Sequence, residues 1–442
     1  MKKLFTYINT EVLVKAGRLN LFNISLRVLA GILISKFIAV YIGPQGMALV
    51  GNLRNFMAAL QTIAISGLYK GVVKFVNRFK EDAVALTKTL STVFYFGFFS
   101  SIFLAFVCYY NANVINNFLF ASNYNYVYII ETLAIVLPLY ALNMFTFSIM
   151  NGFSKHKYLL LINSLGQILG LLVTLILIYQ ENIDGALLAI VISPALNLLI
   201  TIVGIAFRRS LMSSIKITQV SFSILNKLSP YMLVALVSAV AMPIVMIIIR
   251  NHLISETGIK SAGYWTAMTR VSDYYLMFFN SLMALYILPR FSEINSKSGF
   301  RKEVFSFYKT IMPVFLVLLL VIYLSRSLIV NVLFTEDFRS VENLFGYQIL
   351  GDVARVFSMV IVYQFLAKKM FSHFVIMEVF LFVIMYISSV YLIDEFGLKG
   401  AVMGHCLSYF MYFGIILLLF SSSLFGVLDE GGLKDDEVSN NE

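Results

Sequence analysis

Charge is what this sequence has least of. Only 13% of its 442 residues are Asp, Glu, Lys or Arg, about half of the roughly 25% with which a soluble globule clothes its surface, so a soluble globule is excluded. Seven Pro and 25 Gly are too few for a fibrous or disordered chain. Two cysteines, Cys108 and Cys406, cannot build a disulfide framework, and their apolar surroundings read as those of small buried side chains. The phosphate-cradling G-x-x-x-x-G-K-[ST], the nucleophile turn G-x-S-x-G, the zinc helix H-E-x-x-H and metal-spaced cysteine pairs are all missing. Their absence removes an ATP engine and the common hydrolytic and metal chemistries. The four histidines, His156, His252, His373 and His405, are scattered and make no ligand set, so neither cofactor nor metal is expected.

Apolar residues make up 60% of the chain, with 40 Phe and 25 Tyr, and the mean hydropathy is +0.86. Apolar stretches at 20–42, 46–67, 87–110, 126–150, 158–180, 185–207, 228–250, 262–289, 310–330, 343–367, 371–393 and 398–424 are each long enough to cross a bilayer as a helix. They predict an all-α integral membrane protein of twelve transmembrane helices. The first twenty residues carry Lys2, Lys3, Lys15 and Arg18 around Leu4, Phe5, Ile8, Val12 and Leu13, without the apolar core or small-residue cleavage site of a signal peptide. An amphipathic helix lying on the inner face is expected there.

The net charge of +10 sits in short clusters between spans, which reads as membrane orientation and not as nucleic-acid binding. With both termini placed in the cytoplasm, the outside receives only Arg250, Lys260, Arg326, Arg339 and Lys399. Lys70 and Lys74, after the second span, would then stand at the cytoplasmic mouth.

Asp184-Gly-Ala-Leu-Leu opens the sixth span and Lys399-Gly-Ala-Val-Met the twelfth, with Gly185 and Gly400 separated by 215 positions. Phe153-Ser-Lys-His-Lys and Lys368-Lys-Met-Phe-Ser-His recur at nearly the same offset. A duplication follows, giving a six-helix lobe over 1–215, a second over 216–425 and an acidic cytoplasmic tail over 426–442, with a substrate site between the lobes. Pro138, Pro194, Pro243 and Pro313 fall within spans, where each removes a helix hydrogen bond and permits a kink or hinge.

Nine ionisable residues fall inside spans: Arg27, Lys36, Arg54, Arg270 and Arg355 against Glu131, Asp273, Asp352 and Glu378. Each costs roughly 2.5 to 3.5 kcal/mol at a helix centre, so a wet or paired interior is expected. Arg270 with Asp273, and Asp352 with Arg355, stand three apart and could pair locally. Lys36 and Arg54 have no such partner and are joined by a tight turn at Gly43-Pro44, so their facing sides can converge. They are the leading anion ligands, with Arg250 and Arg270 beside them. A phosphate or pyrophosphate group would match guanidinium forks. Glu131 and Glu378 lack a basic residue three or four positions away and, with Asp273 and Asp352, are candidate coupling acids.

Gly43-Pro44 with Asn52-Leu53-Arg54, Gly71-Val-Val-Lys74-Phe, Ile192-Ser-Pro-Ala-Leu196, Ser272-Asp273-Tyr-Tyr-Leu276, Ile287-Leu-Pro289 and Gln348-Ile-Leu-Gly-Asp352-Val, in this order and spacing, resemble the Wzx polysaccharide translocases. This family, which includes O-antigen translocases, belongs to the multidrug/oligosaccharidyl-lipid/polysaccharide exporter superfamily. The resemblance runs from about residue 20 to 420. It implies a MATE-like fold of two six-helix lobes in the bacterial inner membrane. It also implies alternating-access transfer of an undecaprenyl-pyrophosphate-linked oligosaccharide to the outer leaflet, with membrane lipids, a polysaccharide polymerase and a chain-length regulator as partners and no chemistry performed. Arg54, Lys74, Asp273 and Asp352 lie in the matching segments. A cation-coupled drug exporter and a membrane glycosyltransferase or polymerase remain as alternatives from the residues alone.

Overall fold

The computed structural model describes residues 11–65, 67–79, 81–120, 124–153, 156–205 and 215–426. Residues 1–10 and the acidic tail from 427 onward lie outside the described residues, and with them most of the expected amphipathic segment and the tail. From Glu11 the chain is already part of the first long helix.

The described chain is helical throughout. The first half comprises α1 (Glu11–Tyr41), α2 (Gly43–Ala64), α3 (Tyr69–Phe79), α4 (Ala83–Tyr110), α5 (Ala112–Phe120), α6 (Val127–Gly152) and α7 (His156–Ile205). The second comprises α8 (Phe222–Leu236), α9 (Met242–Thr257), α10 (Ile259–Leu282), α11 (Leu288–Glu293), α12 (Lys297–Thr310), α13 (Met312–Leu324), α14 (Arg326–Leu333), α15 (Phe345–Ala367), α16 (Phe371–Phe396), α17 (Leu398–Leu419) and α18 (Ser421–Phe425). Helix starts follow local chemistry: Asp82 Oδ1 accepts from the amides of Val84 and Ala85 at 3.1 and 3.0 Å, and Ser296 Oγ accepts from Gly299 N at 3.1 Å. Pro44 sits in the first turn of α2, where a missing N–H costs nothing, whereas Pro243 and Pro313 lie inside the continuous helical runs Phe222–Thr257 and Lys297–Leu324. Pro243 and Pro289 each follow a π turn, Val237–Ala241 and Met283–Ile287, so the second half carries two local widenings in its first two long helices.

Ten described helices are long and apolar enough to cross a membrane, and the chain is a multi-pass membrane protein. Exposed side chains such as Phe103, Tyr110 and Leu418 give the bundle an apolar outer surface that hydrocarbon satisfies. The expected count of twelve is met only as ten for two reasons. Tyr158–Val203 is one 46-residue run that reverses at Asn182, where φ is 49° and ψ −117°. Helix α2, carrying Asn52, Arg54, Asn55 and Gln61, is not among the ten.

The 215-residue offset returns in the backbone. Gly43 and Gly258 both have positive φ, 74° and 87°, and Asn182 and Gly397 share φ of 49° and 57°. Gly185 and Gly400 each lie so close to a preceding carbonyl, that of Leu177 and Leu392, that no Cβ would fit. These turns gather at one end of the bundle, where a Cβ on Gly397 would lie 3.2 Å from Thr257 Cγ2 and one on Gly46 3.3 Å from Ile183 Cδ1.

The halves meet along α1–α3 and α8–α10. Gly263 leaves no room for a Cβ beside the Pro44 carbonyl, and a Cβ on Gly51 would lie 2.8 Å from Thr266 Cγ2. At the opposite end, Cβ atoms on Gly67 and Gly71 would lie 2.9 Å from Met232 O and 2.6 Å from Leu228 Cδ2. Glycine at these positions permits near-backbone contact between helices from the two halves.

Candidate functional site: a charged hollow between the halves

Helices α2 and α10 bring Arg54, Arg270 and Asp273 into electrostatic reach of one another, Arg355 on α15 reaches Asp273, and Glu378 on α16 reaches Arg355. Asp273 is surrounded by protein yet its side chain is exposed, and Arg54, Arg355 and Glu378 likewise keep accessible surface in mid-helix. We read these enclosed yet partly accessible charges as lining a hollow. That is where charges in a membrane helix are tolerated.

The arginines differ in what they hold. Arg54 makes no hydrogen bond or ion pair among the described residues, and Tyr274, Asp273 and Arg270 lie within its electrostatic reach. Arg270 donates from Nη1 to Ser35 Oγ at 2.9 Å, while its Nη2 is buried without a partner. Ser35 in turn shares a hydrogen bond with Tyr274 Oη at 2.8 Å. The guanidinium of Arg355 lies over the Tyr409 ring, 5.5 Å from its centroid. Three incompletely satisfied guanidiniums, one from each of three helices, make an arrangement that can take an anion with several oxygens.

Several expectations are corrected. Arg270 and Asp273 do not form the local ion pair their spacing allows, nor do Asp352 and Arg355. Asp352 is fully buried and accepts instead from Ser272 Oγ at 2.6 Å, Tyr275 Oη, Gln348 Nε2 at 3.3 Å and His405 Nε2 at 3.0 Å. Lys36 does not converge with Arg54; its ammonium donates to the carbonyls of Asn331, at 3.0 Å, and Phe334 at the end of α14, the helix terminus that attracts a cation.

Arg250 is not in an outer connection. It is buried in α9, donating from Nε to Thr266 Oγ1 at 2.9 Å and from Nη1 to Asn52 Oδ1 at 2.8 Å, with its guanidinium 5.3 Å from the Trp265 ring centre. These contacts fix it as a bond between the halves. Lys74 is exposed on α3 and meets Tyr231 of α8, hydrogen-bonded to its hydroxyl and 5.0 Å from its ring centre. The Lys70 side chain lies outside the described residues. Glu131 is half-buried on α6, and nothing described joins it to the hollow.

Sequence reasoning did not place Arg355, Gln348 and His405 in this site. Arg355 was visible as an intramembrane charge but is explained away by the Asp352 spacing. His405 lies 53 residues from Asp352, a separation no local pattern reports. Among the described residues, His252, Glu256 and Asp394 also come together, with ligand-type atoms within 4.8 Å of one another and a His252 Nε2 to Asp394 Oδ1 contact of 2.6 Å. They stand at the Gly258 end, away from the hollow.

Comparison with known proteins follows the same lines. The profile of a family described as polysaccharide biosynthesis protein matches residues 38–343. The lipid III flippase of Escherichia coli (strain K12) is 26% identical over 388 residues, covering 87% of this chain and 92% of that protein. The lipid III flippase of Shigella flexneri matches to the same extent. Among solved structures, an inward-facing multidrug resistance MATE family transporter of the MOP superfamily superimposes with a TM-score of 0.71 at 15% identity, over 91% of this chain and 98% of that one. Lipid II flippase MurJ in an inward closed conformation gives 0.69 at 15% identity, over 92% and 87%. The fold is therefore MATE-like, as the sequence implies.

Proposed function

The chain belongs to the family of polysaccharide biosynthesis proteins, and from that premise we propose that it is a lipid-linked oligosaccharide translocase. Its cargo is an undecaprenyl-pyrophosphate-linked repeat unit, moved from the cytoplasmic to the periplasmic leaflet of a bacterial inner membrane without covalent change. The observation that carries this reading is the unpartnered Arg54 in a hollow between the halves, with an orphaned Arg270 Nη2 and Arg355 nearby. Fixed cations held short of partners need an anionic cargo to offset their desolvation, and a diphosphate supplies oxygens for several guanidinium forks. The name of the lipid III flippase relative, matched over 92% of its length, supports the same cargo class.

In this reading the chain crosses the membrane twelve times, with α2 and both limbs of the Asn182 hairpin counted, and divides into lobes at 1–215 and 216–425. The recurrence of turns at one offset supports that division. Both termini face the cytoplasm, as the distribution of Lys and Arg suggests, so Lys74 and Tyr231 meet at the inner end and the Gly43 and Gly258 turns lie outside. The lobes rock about their shared helices, with the π turns before Pro243 and Pro289 as compliant points. Arg54 and Arg270 engage the diphosphate, Arg355 assists, and the polyprenyl tail stays in lipid. A polymerase and a chain-length regulator would receive the product.

The test is reconstitution. Proteoliposomes holding the full chain should move an undecaprenyl-pyrophosphate oligosaccharide between leaflets faster than protein-free vesicles, and Arg54→Ala should return the rate to background. Equal rates with and without wild-type protein would sink the proposal, and export of cationic dyes instead would favour drug transport.

A further inference from the structure

At the Gly258 end of the second half two helices finish side by side. Helix α9 closes at Thr257 and α16 at Phe396, and a Cβ on Gly397 would lie 3.2 Å from Thr257 Cγ2. The last turn of an α-helix carries the negative end of its dipole and favours a cation. Neither of these two helices has a basic residue there. Both carry acid instead: Glu256 in α9 and Asp394 in α16 are exposed and, among the described residues, form no ion pair with any Lys or Arg. Two carboxylates and two helix ends thus concentrate negative charge in one place.

His252 completes the group. It stands one turn before Glu256 on the same face of α9, and its Nε2 lies 2.6 Å from Asp394 Oδ1. Ligand-type atoms of all three residues lie within 4.8 Å of one another. Donor atoms around one tetrahedral zinc stand about 3.3 Å apart at bond lengths of about 2.0 to 2.1 Å, so these side chains close on an ion by moving about 1 to 2 Å. At the surface they are free to do so.

The donor set selects the ion. One imidazole nitrogen with two carboxylate oxygens suits zinc and related transition metals, whereas Mg²⁺ and Ca²⁺ prefer oxygen throughout. Coordination uses the lone pair of Nε2, so the ring keeps its hydrogen on Nδ1, and the hydrogen shared with Asp394 gives way to the metal. Three protein donors leave a further position for water. A plain imidazolium–Asp394 pair would serve one carboxylate and leave Glu256 uncompensated.

We propose that His252, Glu256 and Asp394 form a divalent transition-metal site that joins the end of α9 to the end of α16. The ion offsets both carboxylates and both helix ends, and it fastens together two turns 142 positions apart in sequence. The site is separate from the charged hollow, and its occupancy does not depend on what the hollow carries. Scanning for ligand spacing misses it because the third ligand comes from a distant helix.

The experiment is titration calorimetry on the full chain, purified in detergent and freed of metal with EDTA, with Zn²⁺ alone as probe. One ion per chain is expected to bind with a Kd of about 1 μM, undiminished by excess Mg²⁺. His252→Gln, Glu256→Gln and Asp394→Asn should each weaken binding by at least about tenfold, since a ligand counts for no less than the outer partners of a metal site. His373→Gln, at the opposite end of α16, should leave it unchanged. Absence of wild-type binding below about 0.1 mM overturns the inference. Wild-type affinity in any of the three ligand variants does so too, and marks an adventitious surface ion. Should His252→Gln fail to assemble, the other two decide, because their exposed side chains can be neutralised without opening the core: unaltered zinc affinity in either ends the proposal.

Discussion

Arg250 Nη1 donates to Asn52 Oδ1 at 2.8 Å across 198 positions of sequence, and the same Asn52 amide donates to Leu119 O at 2.7 Å and Asn251 Oδ1 at 2.9 Å. One asparagine therefore satisfies a buried cation of the other half while anchoring α5. Asn52→Ala takes one of its two hydrogen-bond partners from a buried guanidinium and removes the donor to the Leu119 carbonyl and Asn251 Oδ1, a loss of about 1 to 3 kcal/mol. A clear drop in melting temperature in detergent is expected; an unchanged melt would show that water replaces the side chain.

Arg54 and Lys36, equal candidates in the sequence, should separate on mutation. Arg54→Ala removes a guanidinium that the fold does not use, so stability should hold while affinity for undecaprenyl pyrophosphate falls roughly 10- to 100-fold, the range of a charged hydrogen-bonding group. Lys36→Met removes the donor to the Asn331 and Phe334 carbonyls and should lower the melting temperature with probe affinity within about twofold, well under 1 kcal/mol. The reverse pattern, weak binding in Lys36→Met and normal binding in Arg54→Ala, would exchange their roles.

The hairpin turns offer a test of the internal duplication. Asn182 adopts φ 49° and ψ −117°, and its counterpart 215 positions on is Gly397, with φ 57° and ψ −131°. Asn182→Gly should raise stability by about 1 kcal/mol by relieving a conformation only glycine adopts freely, and Gly397→Ala should cost about 1 to 3 kcal/mol. A destabilised Asn182→Gly protein would mean that the asparagine side chain, and not the backbone, holds that turn.

The span pattern was legible because each crossing needs its own run of apolar residues, and the 215-residue offset was legible because Gly185 and Gly400 are demanded by close backbone approach. The intramembrane charges marked the helices that carry the charged cluster, α2, α10, α15 and α16, together with α1 and α6, which lie outside it. Their pairing was not legible. Spacing of three suggested Asp352 with Arg355, but the carboxylate has four donors from three helices, and a neighbour on the same helix is only one of many competitors. Lys36 misled for a similar reason: an ammonium inside a span is equally well served by backbone carbonyls at a helix end, and no sequence pattern says which helix will end beside it. Arg250, placed outside by counting, shows that charge topology describes averages and not single side chains.

Helix α2 is a 22-residue segment with 13 buried residues that carries Asn52, Arg54, Asn55 and Gln61. By its own hydropathy it has little tendency to leave a protein-conducting channel for lipid during synthesis. The turn at Ile42–Gly43 ties it to the greasier α1, so the two must be released together as a hairpin, or α2 must wait beside the channel until α9 and α10 emerge to enclose it. Biogenesis of this protein is thus constrained by the same polar residues that make its interior useful.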